Sequence, residues 1–379
     1  MTHSPSYAYS EVFEGGSNMS GNGRHYFPGN NTPGGFFSYY SNIINLKEAT
    51  KVWYIKGGPG TGKSTFMKKI GTILHEEGLD VDFLHCSSDK DSLDGVIFRN
   101  EGIAIVDGTS PHIIDPLYPG AVESIINFGQ YWNEEGIRRN RGEIVQITED
   151  IKIDFKRAYN YLGAAEKMYD NLQYAYCRAI SSNTARRIAE DIVNDVAITK
   201  KYSAREGTVR RLFASAFTPQ GIANHLVDII GECKKVYVIK AKTCSAYERI
   251  LSLVLENVTA CGFDAEAFYC SMKPDKKIDH LVIPALSLAV ISSNKFHPFQ
   301  QEINKKEIVT VEFSRSIEEA EDICLLKMEE LITEAIRCLA EAKTKRDELE
   351  NLYIPNMDFE KVGKLRKRIE NEIREASCN

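Results

Sequence analysis

Eight consecutive residues, Gly57-Gly58-Pro59-Gly60-Thr61-Gly62-Lys63-Ser64, match the spacing GxxxxGK[ST] in full. Their types suit one task, the grip of a polyphosphate. Glycines let successive backbone N–H groups turn inward and approach a phosphate without a Cβ in the way. A helix starting behind them adds partial positive charge. Lys63 is expected to reach the β- and γ-phosphates, and the Ser64 hydroxyl to ligate Mg2+. Asp107, which closes the apolar run Ile103-Ala104-Ile105-Val106, is expected to hold the metal through water. The expected nucleotide contacts are therefore Gly58, Pro59, Gly60, Thr61, Gly62, Lys63, Ser64 and Thr65. Lys63 and Asp107 form the catalytic pair, and Ser64 and Asp107 are the metal residues.

These residues need a frame. Residues 51–56 (KVWYIK) are β-branched and aromatic and read as a buried strand. Residues 65–75 carry Phe66, Ile70, Ile73 and Leu74 at helical spacing. Strand, glycine loop and helix in that order turn the pattern into a site. Residues 81–85 (VDFLH) read as a further parallel strand, and 103–107 as another. The expected core is a P-loop NTPase-type α/β unit, a parallel sheet flanked by helices.

The unit occurs twice. Thr32-Pro33-Gly34-Gly35 recurs as Thr218-Pro219-Gln220-Gly221, KVWYIK at 51 as KVYVIK at 235, Gly78-Leu79-Asp80 as Gly262-Phe263-Asp264, and His112 as His297. The offset stays near 185, as between 112 and 297. Opposite the glycine loop stands Ala241-Lys242-Thr243-Cys244-Ser245-Ala246-Tyr247-Glu248. Its glycines are gone, Tyr247 replaces Lys63, Glu248 replaces Ser64 and Ser292 replaces Asp107. The second unit is expected to keep the fold but lose the nucleotide, and its half of the chain, from about residue 204, to fold alone.

Each unit is followed by sequence almost free of Gly and Pro: residues 143–196, then 317–353 and 359–376. Asp170 and Leu172 match Asp347 and Leu349 at a different offset, 177. Helical hairpins or a small bundle are expected, packing against the other unit or serving as a partner surface or lid. The expected organisation is a mobile tail (1–23), a nucleotide unit (24–142), a helical segment (143–205), a degenerate repeat (206–303) and a C-terminal helical segment (304–379).

Bulk properties narrow the partners. The chain has 379 residues, is 43% hydrophobic and 26% charged, and carries a net charge of −6. An acidic balance argues against nucleic-acid binding by bulk electrostatics. No apolar run has the length of a bilayer span, and residues 1–23 lack the pattern of a signal peptide. Nine scattered cysteines without a CxxC pair suit reduced thiols in a cytoplasmic protein.

KGGPGTGKST, the stretch His85-Cys86-Ser87-Ser88-Asp89-Lys90-Asp91-Ser92-Leu93-Asp94 and VDGTSPH, in a duplicated chain, resemble a family of two-unit P-loop ATP-binding proteins. These occur in spore-forming and related Gram-positive bacteria and are described as uncharacterised ATPases or nucleotide kinases. The resemblance covers nearly all of the chain after the tail and implies the fold and ATP binding. In that family the second loop is often glycine-rich as well; here it is not.

Three chemistries remain open. An ATPase is expected to be slow or partner-stimulated, because Asp107 is followed by Gly108-Thr109-Ser110 and not by a water-activating Glu. A small-molecule or nucleotide kinase would need an acceptor site, for which His85, Asp89, Asp91, Asp94 and His112 are candidates. A nucleotide-dependent switch or scaffold is the third. Arg138, Arg139 and Arg141 follow Glu134-Glu135 and read as a solvated helix face. ATP is preferred to GTP, since Asn294-Lys295-Phe296-His297 begins like a guanine-reading NKxD loop but lacks its Asp.

Overall fold

The fold is taken from a computed structural model. It describes residues 21–176, 181–195, 205–240, 247–299, 306–312 and 319–378. Most of the tail expected over 1–23, and positions 241–246 opposite the glycine loop, lie outside the described residues.

The first half contains β1 (Gly23–Tyr26), β2 (Gly29–Thr32), β3 (Gly35–Ser38), β4 (Lys51–Lys56), α1 (Lys63–Glu76), β5 (Val81–Cys86), β6 (Asp89–Phe98), β7 (Ile103–Asp107), β8 (Glu123–Asn127), α2 (Glu134–Arg139), α3 (Arg141–Tyr176) and α4 (Ser182–Asp195). The second half repeats the order with β9 (Val209–Leu212), β10 (Ser215–Thr218), β11 (Gly221–Asn224), α5 (Leu226–Ile229), β12 (Lys235–Lys240), α6 (Glu248–Ala260), β13 (Ala265–Cys270), β14 (Lys273–Ile283), β15 (Leu288–Ser293), β16 (Glu307–Glu312), α7 (Glu319–Tyr353) and α8 (Phe359–Ser377).

Each half forms a six-stranded sheet of the same order, β1-β5-β6-β7-β4-β8 and β9-β13-β14-β15-β12-β16. The duplication is therefore a property of the fold. The sheets are mixed, which corrects the expected parallel sheet. β6 runs antiparallel to β5 and β7, and β14 to β13 and β15. The cause is local: β6 follows β5 after only Ser87 and Ser88, too short a link for the crossover that a parallel neighbour requires. The strand Glu307–Glu312 lies inside the segment expected to be helical from 304; its EIVTVE alternation fits a sheet edge beside β12.

Period-two alternation builds the layers. Val52 and Tyr54 of β4 point into a core shared with Val236 and Val238 of β12, so the two sheets pack face to face. Trp53 and Ile55 point outward beneath α1, and Tyr237 and Ile239 beneath α6.

The helical arms are exchanged. α4, from the first half, lays Ala185, Ala189 and Ile192 on Ile250, Leu251, Val254 and Val258 of α6. α8, from the second half, lays Val362, Leu365, Ile369 and Ile373 on Phe66, Met67, Ile70 and Leu74 of α1. Each fully buried aliphatic side chain contributes about 1.5–3 kcal/mol. The long helices α3 and α7 pack against each other through Ala158, Leu162, Ala165 and Leu172 facing Met328, Ile332, Ala335 and Leu339. Of the roles left open for the helical segments, packing against the other unit is the observed one. The first half thus covers apolar faces of α6 and α7 that the second half alone would expose.

Candidate functional site

β4 lies between β7 and β8, parallel to both, and ends at the glycine loop. Gly60 and Gly62 have φ of 67° and 87°, a backbone region that suits residues without a Cβ. The loop is also crowded from outside. A Cβ on Gly58 would lie 2.9 Å from the Tyr353 ring, and one on Gly60 would lie 2.8 Å from the Glu350 carbonyl oxygen. Both neighbours belong to α7, so the arm of the second half rests directly on the loop of the first.

α1 starts at Lys63 with no side chain capping its N-terminus and no acid in its first turn. Its first N–H groups and its dipole are thus directed at the loop. Lys63 is buried, and its Nζ donates to the carbonyls of Gly57 (3.0 Å) and Gly58 (2.9 Å). Asp107 Oδ2 lies 3.6 Å from the same nitrogen. Burial pushes the Lys63 ammonium below its usual pKa, and Asp107 works against that shift. The Thr61 hydroxyl donates to the Gly58 carbonyl and braces the turn (2.8 Å).

Asp107 ends β7, paired in register with Ile55. Its Oδ1 accepts from the Thr109 amide (2.9 Å) and hydroxyl (2.5 Å). Asp94, on β6, and His112, beyond β7, converge on it: one ligand atom from each of the three lies within 4.8 Å of the others. The Tyr40 hydroxyl donates to Asp94 Oδ2 (2.6 Å), and the Tyr40 ring stacks on His112 at 4.4 Å and 7°. Ser64 departs from expectation in its contact: its hydroxyl accepts from the Leu93 amide (2.9 Å), next to Asp94 in sequence.

The other acceptor-site candidates disperse. Asp89 meets Lys343 of α7 (3.4 Å), and Asp91 is exposed beside Lys90. His85 lies in a separate cluster with His25 (2.8 Å between ring nitrogens) and His225. Arg138 and Arg139 pair with Glu134 and Glu135 on an exposed face, as expected. Asn294 Oδ1 accepts the amides of Phe296 and His297, a turn with no base-reading geometry.

Arg346 of α7 was not among the expected residues. It is half-buried, with 35% of its side-chain surface exposed, and its Nε lies 3.6 Å from Glu350. Burial acts to lower its pKa, but Cys86, Glu350, Asp94 and Asp107 outweigh this and hold it above its usual value. Its field also reaches Lys63. The arm repeat gives no signal for it, since the offset that pairs Asp170 with Asp347 sets Tyr169 opposite Arg346.

The second unit fills its corresponding place with side chains. The Tyr247 hydroxyl donates to Asp279 (2.8 Å), the residue matching Asp94. The buried Lys277 ammonium donates to the phenol oxygens of Tyr247 (2.7 Å) and Tyr169 (2.6 Å). Tyr169, Tyr247, Lys277 and Asp279 line a small cavity there, with about 40 Å3 open to water.

Comparison of the chain with protein-family models, with curated proteins and with solved structures gives no match. Among the described residues no helix is long and apolar enough to cross a membrane.

Proposed function

We propose that the chain is a P-loop protein that binds one metal·ATP at residues 57–64 and hydrolyses it slowly. The observation that carries this reading is the buried Lys63 ammonium between the loop carbonyls and Asp107, at the uncapped N-terminus of a helix. A polyphosphate is the counter-charge that suits such a place. On binding, Lys63 exchanges its two carbonyl partners for phosphate oxygens. Asp107 and Ser64 offer oxygen atoms to Mg2+, whose charge would offset that of the phosphates. Arg346 brings a second cation from the other half, suited to the charge that develops when the terminal phosphate is cleaved. ATP is favoured over GTP because the turn at Asn294 reads no base. The seven cysteines among the described residues are unpaired, as suits the cytoplasm.

A switch is the second reading, supported by the contact of Tyr353 and Glu350 with the loop glycines. A ligand on the loop must adjust to the arm, and so couples to the second half. Phosphate release from ATP, with and without a metabolite panel, separates the possibilities for wild type and Lys63→Ala. Release without acceptor, abolished by the substitution, supports the ATPase. Acceptor-dependent consumption points to a kinase. Tight binding without turnover leaves the switch.

A further inference from the structure

We propose that Asp94, Asp107 and His112 bind a divalent transition-metal ion of the Mn2+ or Zn2+ kind, with an imidazole nitrogen as one ligand. The proposal deepens the nucleotide reading by changing the identity of its metal.

His112 points to it. Its side chain is 94% buried, since 6% of its surface is exposed, and neither Nδ1 nor Nε2 has a hydrogen-bond partner. A buried polar group without a partner is costly, and coordination to a cation removes the cost. One atom from each of the three residues already lies within 4.8 Å of the others. Ligands about 2.1 Å from a shared ion lie at most about 4.2 Å apart, so a small closure completes the set.

The surroundings are prepared for ligation. Tyr40 ties down Asp94 Oδ2 and Thr109 ties down Asp107 Oδ1, so a cation would meet Asp94 Oδ1 and Asp107 Oδ2, the latter shared with the Lys63 ammonium at 3.6 Å. Tyr40 also fixes the plane of the His112 ring by stacking. Such outer partners orient ligands and raise metal affinity. The donor set sets the choice of metal: magnesium prefers an all-oxygen octahedron, whereas an imidazole with carboxylates suits transition ions.

The second unit provides an internal comparison. Asp279 and His297 persist there 3.5 Å apart, while Ser292 stands in place of Asp107. The Lys277 ammonium lies 3.4 Å from Asp279. There an ammonium faces Asp279 without a counterpart of Asp107, whereas in the first unit the Lys63 ammonium, 3.6 Å from Asp107, is set against two carboxylates.

The test uses the full chain, stripped with chelator and titrated with Mn2+ in the absence of nucleotide. Electron paramagnetic resonance should count one bound ion per chain, and its pulsed form should detect coupling to a ligand nitrogen. His112→Gln should remove that coupling and weaken binding at least about tenfold, and Asp94→Asn should weaken it similarly. His297→Gln should leave the affinity unchanged, and Mg2+ should compete at least about tenfold more weakly. Thermal unfolding verifies that each variant is folded. Wild-type Mn2+ without nitrogen coupling, unchanged affinity in His112→Gln, or equal competition by Mg2+ would overturn the proposal. Nitrogen-coupled Mn2+ in a chain that fails to bind ATP would leave the metal site standing and remove the nucleotide reading instead.

Discussion

Phe27 and Phe213 exchange backbone hydrogen bonds, each N–H donating to the other's carbonyl at 3.0 Å. The pair marks the approximate two-fold axis that relates the halves. A closed charge cluster sits beside it: Arg24 and its counterpart Arg210 both reach Asp82 and Glu266, which are counterparts too. The arms obey the same symmetry with reversed sign. Lys343 of α7 meets Asp89 on the first half, whereas Glu166 and Asp170 of α3 meet Lys273 on the second.

Replacing Lys63 by Ala removes the only lysine of the loop and leaves the phosphate unpaired. ATP affinity should fall by about 2–5 kcal/mol, as when one partner of a desolvated charge pair is removed. Calorimetry measures it; an affinity within threefold of wild type would remove the loop from the site.

Asp107→Asn keeps the shape of the side chain and removes its charge. It should lower turnover, or the metal dependence of binding, more than it lowers the binding of metal-free nucleotide. Equal losses with and without metal would show that Asp107 does not serve the cation.

Arg346→Ala should cut turnover by about a hundredfold or more, with nucleotide affinity changed far less. Lysine at this position should restore little, because it lacks the planar fork of donors. Unchanged turnover in an otherwise active chain would confine Arg346 to a packing role.

One nucleotide per chain is the expected stoichiometry. Tyr247 and Lys277 occupy the second place, and Tyr247→Ala should leave the count at one. Two nucleotides per wild-type chain would overturn the degenerate assignment. This measurement uses the full chain, since α3 and α4 of the first half cover α7 and α6 of the second.

Acid should loosen the junction in two stages. Burial lowers His25 to about 4, with His225 and His75 adding to the effect. A histidine depressed in the folded state favours folding above its unfolded value near 6.5, so that contribution is lost as pH falls from about 6.5 to 4. Burial alone would raise the Asp82 carboxyl, but Arg24, Arg210 and Arg99 outweigh it and hold it well below the usual range. Its contribution is present above about pH 4 and is lost below. Melting temperature against pH should therefore fall over both windows. His25→Gln should make the upper one shallower, with the buried His85, His280 and His297 supplying the rest, and Asp82→Asn should cost about 3–5 kcal/mol at neutral pH by leaving buried arginines unpaired. A flat profile down to pH 4 in wild type would contradict the histidine contribution.

The sequence displayed the glycine loop, β4, α1, Asp107 and the repeat because each rests on local pattern. It hid β6, whose first residues, Asp89-Lys90-Asp91-Ser92, are polar and read as a loop. Their strand conformation comes from pairing with β5, a non-local cause. Asp94 and His112 were visible as candidates, but not their meeting with Asp107, which depends on β6 and β7 being neighbours. Arg346 was least legible. On a long charged helix it resembles any solvated arginine, and only the exchange of arms carries it to the glycine loop.

That exchange imposes an order on synthesis. Strands β4 and β7, with Lys63 and Asp107, leave the ribosome long before α7 and α8 are made. Until those helices arrive, the outer face of α1 has no apolar cover and the loop has no Arg346. The emerging first half thus carries the glycine loop and Lys63 without Arg346, which arrives only with a helix of the second half.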